Sequence, residues 1–334
     1  MSRTLTIAAA TACLALAGAA HANDSVAESA AGGLVLRQTR DIDMVSEDLY
    51  VSAREIRVRY VFRNRSARAI RTIVAFPMPD RDLSQDEGMD VSWPADFATR
   101  VDGRPVAMQV EHRALLRGVD HTDLLTGFRV PVGTRDRDGT AAAGEAIRRL
   151  VPAERQRLAA LGLVEIHASN DGAESGFAPR WTVRETWHWE QVFPAGRDLV
   201  VEHRYTPGSG GTVTTGLGNP EYRQSGNGRE QIARYCIDAA FIGAAERIAR
   251  RAGTEYATIS ETWISYILTT GANWRSPIGD FRLVVDKGDA RNLVSFCGEG
   301  VRRISPTQFE VRRRNWRPTQ DLRVLILVPH RFDE

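Results

Sequence analysis

Lysine is almost absent from this chain. Lys287 is the only one, so the 44 basic residues are nearly all arginine. Against 42 acids they leave a formal net charge of +2, too small an excess to drive nucleic-acid or anionic-membrane binding by counterion release. Cysteine is scarce too: there are three in 334 residues, none in a CxxC spacing, which excludes a thioredoxin-like redox motif. The sequence has no HExxH or HxxxH pair, no GxSxG elbow and no GKS or GKT ending, so the common signatures of zinc, serine and phosphate-loop chemistry are missing. The Gly-rich stretch 207–220 lacks a proper GxGxxG and reads as a flexible loop. No run after residue 22 is long and apolar enough to span a bilayer. Composition is otherwise that of a globular chain, 43% hydrophobic and 26% charged, which argues against disorder. The length suits about two domains, or one large β domain with insertions.

The N-terminus carries a positive signal. Arg3 supplies a minimal basic region, Leu5 to Ala20 is rich in Ala and Leu, and Ala20-His21-Ala22 obeys the small-x-small rule before Asn23-Asp24-Ser25. Residues 1–22 are therefore expected to be a signal peptide cleaved after Ala22, and the mature chain to be exported and periplasmic. Cys13 follows Ala10-Thr11-Ala12, a poor lipobox. Cleavage removes Arg3 and Cys13 and leaves 43 basic against 42 acidic residues, with Cys236 and Cys297 as the remaining thiols. In an oxidising compartment the expectation is a structural disulfide, worth at most ~4 kcal/mol for a loop of about sixty residues. Two inert buried thiols or a redox pair are the alternatives.

Along the chain, Ile56, Val58, Tyr60 and Phe62 alternate with Arg57, Arg59 and Arg63, predicting a strand with one buried and one solvated face. Asp41 to Asp48, before it, reads as a polar connection. A turn at Asn64-Arg65-Ser66 leads to a second strand over Ile70 to Phe76, ended by Pro77 and Pro79. Phe97 to Val101 and Val106 to Val110 read as a hairpin about Asp102-Gly103. Arg117 to Gly139 reads as irregular. A helical insertion near 141–162 restarts at Pro152 and closes at Gly162.

Trp181, Val183, Trp187 and Trp189 share a strand face, as do Leu199, Val201, His203 and Tyr205. Arg229 to Arg251 reads as the longest helix, stopped by Gly253. Thr262 to Lys287 reads as strand, polar loop, strand: a hairpin whose first strand is covered on both faces. Further strands are expected over Leu293 to Cys297, Thr307 to Arg313 and Leu322 to Val328. Half-polar strands joined by tight turns predict a mainly β protein of antiparallel β-sandwich (immunoglobulin-like) modules with helical insertions. The expected division is 23–180, with the helical insertion, and 181–334, with the long helix and the disulfide.

With these segments in place, NDSVAESAAGGLVL, VRYVFRNRS with AFPMPD, YCID at Tyr235 to Asp238, YILTTGANW with PIGDFRLVVDKG, and SFC at Ser295 to Cys297 resemble a bacterial family of exported proteins catalogued as domain of unknown function 4424. The resemblance runs through almost the whole mature chain. It implies an exported, β-sandwich-rich protein and favours pairing of Cys236 with Cys297. It brings no activity, ligand or catalytic residue.

Candidate chemistry is thin. Asp120-His121-Thr122-Asp123 puts carboxylates beside an imidazole, yet a metal site needs three or four converging ligands, and solvated loop residues explain it better. His188 lies between Trp187 and Trp189 in sequence, but alternation puts it on the opposite face. The two tryptophans suit either sugar stacking or, more simply, a sandwich core. Arg302-Arg303 and Arg312-Arg313-Arg314 beside Trp316 read as a solvated strand edge, with an anionic-glycan contact as the lesser reading. Asn273, Trp274 and Arg275, in the family-marking loop, are candidate partner contacts. No cofactor, metal or catalytic residue is expected. The expectation is a non-catalytic envelope protein binding a protein or glycan partner. The alternative is an envelope hydrolase that assembles Asp120, His121 or His188 only in three dimensions.

Overall fold

The computed structural model describes residues 23–30, 33–85, 94–133, 139–170, 172, 174–251 and 259–330. The signal peptide expected over residues 1–22 and the helix stop expected at Gly253 lie outside them. The described chain is mainly antiparallel β. Its largest sheet has eight strands, in the order Arg302–Arg303, Gln308–Trp316, Ile278–Asp286, Ile42–Ser52, Ile56–Asn64, Asp198–Thr206, Ala95–Val101, Arg104–Val106. Only one contact within it, Ile42–Ser52 against Ile278–Asp286, is parallel. A seven-stranded sheet runs Val119–Asp120, Gln109–Leu116, Thr182–Phe193, Ile70–Pro77, Ser25–Ala30, Gly33–Arg37, with Arg81–Asp82 also pairing Thr182–Phe193. A four-stranded sheet runs Ser209–Thr212, Ile259–Tyr266, Leu322–Pro329, Leu293–Phe296, and Val164–Ala168 pairs with Glu174–Pro179.

One hydrophobic core joins the three larger sheets. Tyr60, Phe62, Val201 and Val285 come from the eight-stranded sheet, Val74, Phe76 and Trp189 from the seven-stranded one, and Ile264, Tyr266 and Val324 from the four-stranded one. Strand alternation explains the segregation: Ile56, Val58, Tyr60 and Phe62 are buried, while Arg57 and Arg59 are exposed on the other face. A second cluster packs the insertion helices Gly139–Arg148 and Pro152–Ala160 against Ala114, Trp181 and Val183. A third packs helices Gly226–Tyr235 and Ala239–Arg251 against the other face of the four-stranded sheet, through Tyr235, Ile237, Ala245, Leu325 and Leu327.

Several expectations need correction. Both large sheets draw strands from each side of the expected division at 180/181, because Thr182–Phe193 pairs Ile70–Pro77 and Ile278–Asp286 pairs Ile42–Ser52. Ile259–Tyr266 and Ile278–Asp286 do not form a hairpin. They belong to different sheets, and the 3-10 turn Thr269–Asn273 carries the chain from one to the other. The expected long helix breaks at Cys236, which takes a left-handed conformation (φ 53°) after Tyr235. The break lies beside the Cys236–Cys297 disulfide, which spans 61 residues. Thr122–Gly127 is helical rather than irregular, and the supposed polar connection at 41–48 belongs to the eleven-residue strand Ile42–Ser52.

Candidate functional site

Two regions hold the polar chemistry that the core does not absorb: the outer face of the eight-stranded sheet and a seam inside the sandwich. On the outer face, register lines up Arg312, Arg282, Asp48, Arg59, Glu202 and Arg100 as one row across six adjacent strands. At the usual strand spacing this row is roughly 24 Å long. Arg57 and Arg204 stand in the neighbouring row, in register with each other, and the surface here forms an open depression of about 680 Å3. Pairing within the row is loose. Arg59 Nε lies 3.7 Å from Glu202 and Arg282 Nη1 lies 3.1 Å from Asp48. At one end Glu310 accepts from Arg312 and Arg282 and is 3.3 Å from Arg302. The hydrogen bonds from Arg312 and Arg282 hold its carboxyl down to about 2.

The seam lies where the three sheets meet. Thr99 and His203 are a cross-strand pair, with Thr99 Oγ1 2.9 Å from His203 Nδ1. His203 Nε2 is 3.0 Å from Asp24 Oδ1. Asn23 Nδ2 donates to Glu47 Oε2 at 3.0 Å, and the Tyr60 and Tyr266 hydroxyls share a 2.7 Å hydrogen bond. Burial pushes the Glu47 carboxyl up to about 8, with the nearby Asp24 charge adding to the rise. Burial also raises Asp24, against the lowering pull of His203, and raises both tyrosines well above their ordinary value. Thr99, His203 and Asp24 have the connectivity of a nucleophile–base–carboxylate relay. All three are buried, Thr99 at 3% exposure and His203 at 2%, so a substrate carbonyl has no approach to Thr99.

The loop at 273–275 closes this seam. Trp274 Nε1 donates to the Asp24 carbonyl at 2.8 Å, and Asn273 Nδ2 donates to Ser25 Oγ at 3.0 Å. Arg275 Nη1 donates to Asp43 at 2.8 Å, and Arg65 binds the same carboxylate. Burial acts to raise the Asp43 carboxyl, but the hydrogen bonds from Arg275, Arg65 and Ser276 outweigh it and leave the group below its ordinary value. Asn273 and Trp274 are thus used inward, fastening Asp24 and Ser25 to the sandwich, while Arg275 is exposed and braces Asp43 from outside.

The other sequence candidates do not converge. Trp187 and Trp189 are buried core residues, Trp187 stacking on Phe97 and donating to Glu185 at 2.6 Å. Asp120 accepts from the Thr122 backbone and hydroxyl at the start of a helix, where His121 makes no side-chain cap bond. On the shared strand Gln109–Leu116, Asp120 reaches the register of Leu115 through its own strand, whereas His188 lies opposite Gln109. The two positions are six residues apart, or roughly 20 Å. Burial lowers His188, opposed by the Glu111 charge. Among the described residues no group of three or more His, Cys, Asp and Glu is arranged to hold a metal ion.

Sequence reasoning puts His203 on an apolar face but misses Asp24 as its partner and the Asn23–Glu47 pair of the same seam. The available signal is the polar Asn23-Asp24-Ser25 run among the family-like motifs, together with an imidazole, His203, at a core position of its strand.

No curated protein matches this chain. Among solved structures, a candidate nutrient binding protein of Legionella pneumophila subsp. pneumophila str. Philadelphia 1 aligns over 92% of this chain and 70% of its own, at 14% identity and a TM-score of 0.44. The model of the family described as Domain of unknown function (DUF4424) matches residues 22–325, and the chain belongs to that family.

Proposed function

We propose that the protein is exported to the periplasm and acts there without catalysis, binding an anionic envelope glycan on the outer face of its eight-stranded sheet. The observation that carries this reading is the six-strand row from Arg312 to Arg100. The whole chain is nearly neutral, yet the row holds four arginines against two acids. Arginine forks match carboxylate and phosphate groups bidentately. Exposed ion pairs contribute at most about 1 kcal/mol each, so Arg59 and Arg282 exchange Glu202 and Asp48 for a ligand at little cost. Asp48 and Glu202 also break the positive field, which favours a ligand with spaced charges over one of uniformly dense charge.

The test is titration of the purified mature protein with carboxylated and with neutral polysaccharide at two ionic strengths. Binding of the anionic polymer alone, weakened by salt and by at least about tenfold in the Arg59→Glu/Arg100→Glu variant, supports the reading. Equal binding of the neutral polymer, or indifference to the charge reversal, sinks it.

A further inference from the structure

Four buried polar atoms in the seam have no hydrogen-bond partner: Asn23 Oδ1, Asp24 Oδ2, Glu47 Oε1 and Thr270 Oγ1. Their residues are between 0% and 1% exposed. They are neighbours, since Asn23 bonds Glu47 and a Cβ on Gly271, next to Thr270, would lie 3.0 Å from Asn23 Nδ2. Elsewhere the fold treats a buried carboxylate differently. Glu261, at 5% exposure, accepts from Thr215, Gln231 and Trp263, each at 2.6–2.7 Å. Buried acceptors left unpaired are costly, and here oxygen acceptors outnumber donors. The set calls for a cationic group with several N–H donors. The described residues offer no metal-binding arrangement, and no Lys or Arg bonds to these atoms.

We propose that this seam is the receptor site for the protein's own processed N-terminus, the Asn23 α-ammonium released when the Ala22–Asn23 peptide bond is hydrolysed. In that step water adds across the amide. Ala22 departs as a carboxylate on the leader, and the Asn23 nitrogen becomes an amine that takes up a proton. Where one amide N–H stood, an ammonium offers three donors. It is four bonds from the Asn23 Nδ2 atom that already touches Glu47, and Asn23 precedes the first strand, Ser25–Ala30. The segment is held for the purpose: Trp274 grips the Asp24 carbonyl, Asn273 grips Ser25, and Asp24 is anchored to His203. Asp24 and Glu47 supply the countercharge, with His203, Tyr60 and Tyr266 as the other titratable groups facing the site. Completion of the sandwich is thereby coupled to removal of the leader.

The inference rests on the export reading, because it requires cleavage after Ala22, and the experiment separates the two. Protein recovered from the periplasm is sequenced from its N-terminus. In parallel, chains beginning at Asn23 and at Ala22 are released from a cleavable fusion and compared, each with and without Glu47→Gln. The expected result is an N-terminus at Asn23 whose α-amine is methylated at least about tenfold more slowly in the native than in the unfolded chain. The Ala22 chain melts about 5 °C or more lower, and Glu47→Gln abolishes most of that difference. A chain absent from the periplasm overturns the export reading and the inference together, whereas an exported chain that begins elsewhere than Asn23 overturns the inference alone. Equal melting of the two chains, or a freely reactive α-amine on Asn23, overturns the inference and leaves export standing.

Discussion

Trp274 donates its indole N–H to the backbone carbonyl of Asp24 at 2.8 Å, across 250 residues of sequence. The ring is 2% exposed and lies 4.3 Å from Phe62 by centroid, so the family-marking loop is pinned to the first strand and the central core together. Trp274→Phe keeps most of the packing and strands a buried carbonyl. Its expected cost is about 1–3 kcal/mol in urea unfolding. Trp274→Ala also opens a cavity and should cost about 3–5 kcal/mol. A Phe variant as stable as the wild type would remove the hydrogen bond from the account of this latch.

Gly279 is fixed by a close approach. A Cβ at this position would stand 2.5 Å from the Val45 carbonyl oxygen, where Ile42–Ser52 has a register shift between Met44 and Ser46. The obstacle is backbone and cannot swing aside. Gly279→Ala is expected to destabilise by about 1–3 kcal/mol, whereas Gly226→Ala, which meets nothing within 4 Å, should be neutral or slightly stabilising. Parallel thermal melts of the two variants check both signs.

The disulfide ties the break between two helices to the end of Leu293–Phe296, an edge strand of the four-stranded sheet. Replacing Cys236 and Cys297 together by serine is expected to cost about 2–4 kcal/mol. The loss should be local. Amide hydrogen exchange should rise most in Gly226–Tyr235 and Ala239–Arg251, and least in the eight-stranded sheet, whose strands pair independently of the crosslink. Uniformly faster exchange would mean that the bond supports the whole sandwich.

Which parts of this fold are legible in the sequence follows from how each strand is patterned. Ile56–Asn64 and Asp198–Thr206 alternate cleanly because each has one face in the core and one in water. Their identity and inward residues, His203 included, can be read directly. Ile42–Ser52 resists reading for two reasons. Its bulge shifts the period-2 phase, and its inward face carries Glu47 while Asp43 and Ser52 are also buried, so polarity imitates a loop. Sheet membership is hidden for a different cause. Neighbours in sequence such as Ile56–Asn64 and Ile70–Pro77 lie in opposite sheets, and a short polar turn looks the same whether it folds a hairpin or crosses the sandwich. The seam was out of reach because its members come from residues 23 to 270, and each of them is unremarkable alone.

Glu47 gives the seam a pH signature. While Ala22 remains attached, burial raises this carboxyl from 4.5 to about 8, so between those values the native state holds a proton that the unfolded chain has released. Stability from this group is therefore full below about pH 4.5, falls as pH rises through about 8, and is level above. Asp24 is shifted in the same direction, so the Glu47 share must be isolated by difference. Tyr60 and Tyr266, raised further still, stay neutral throughout. Glu47→Gln imitates the protonated carboxyl and should flatten the melting temperature between pH 5 and 8 relative to the parent. A chain that begins at Asn23 should flatten it too, because an ammonium beside Glu47 favours the ionised carboxylate and draws its pKa back toward that of the unfolded chain. If the Asn23 chain keeps the full slope, Glu47 remains protonated beside it and no ion pair forms there.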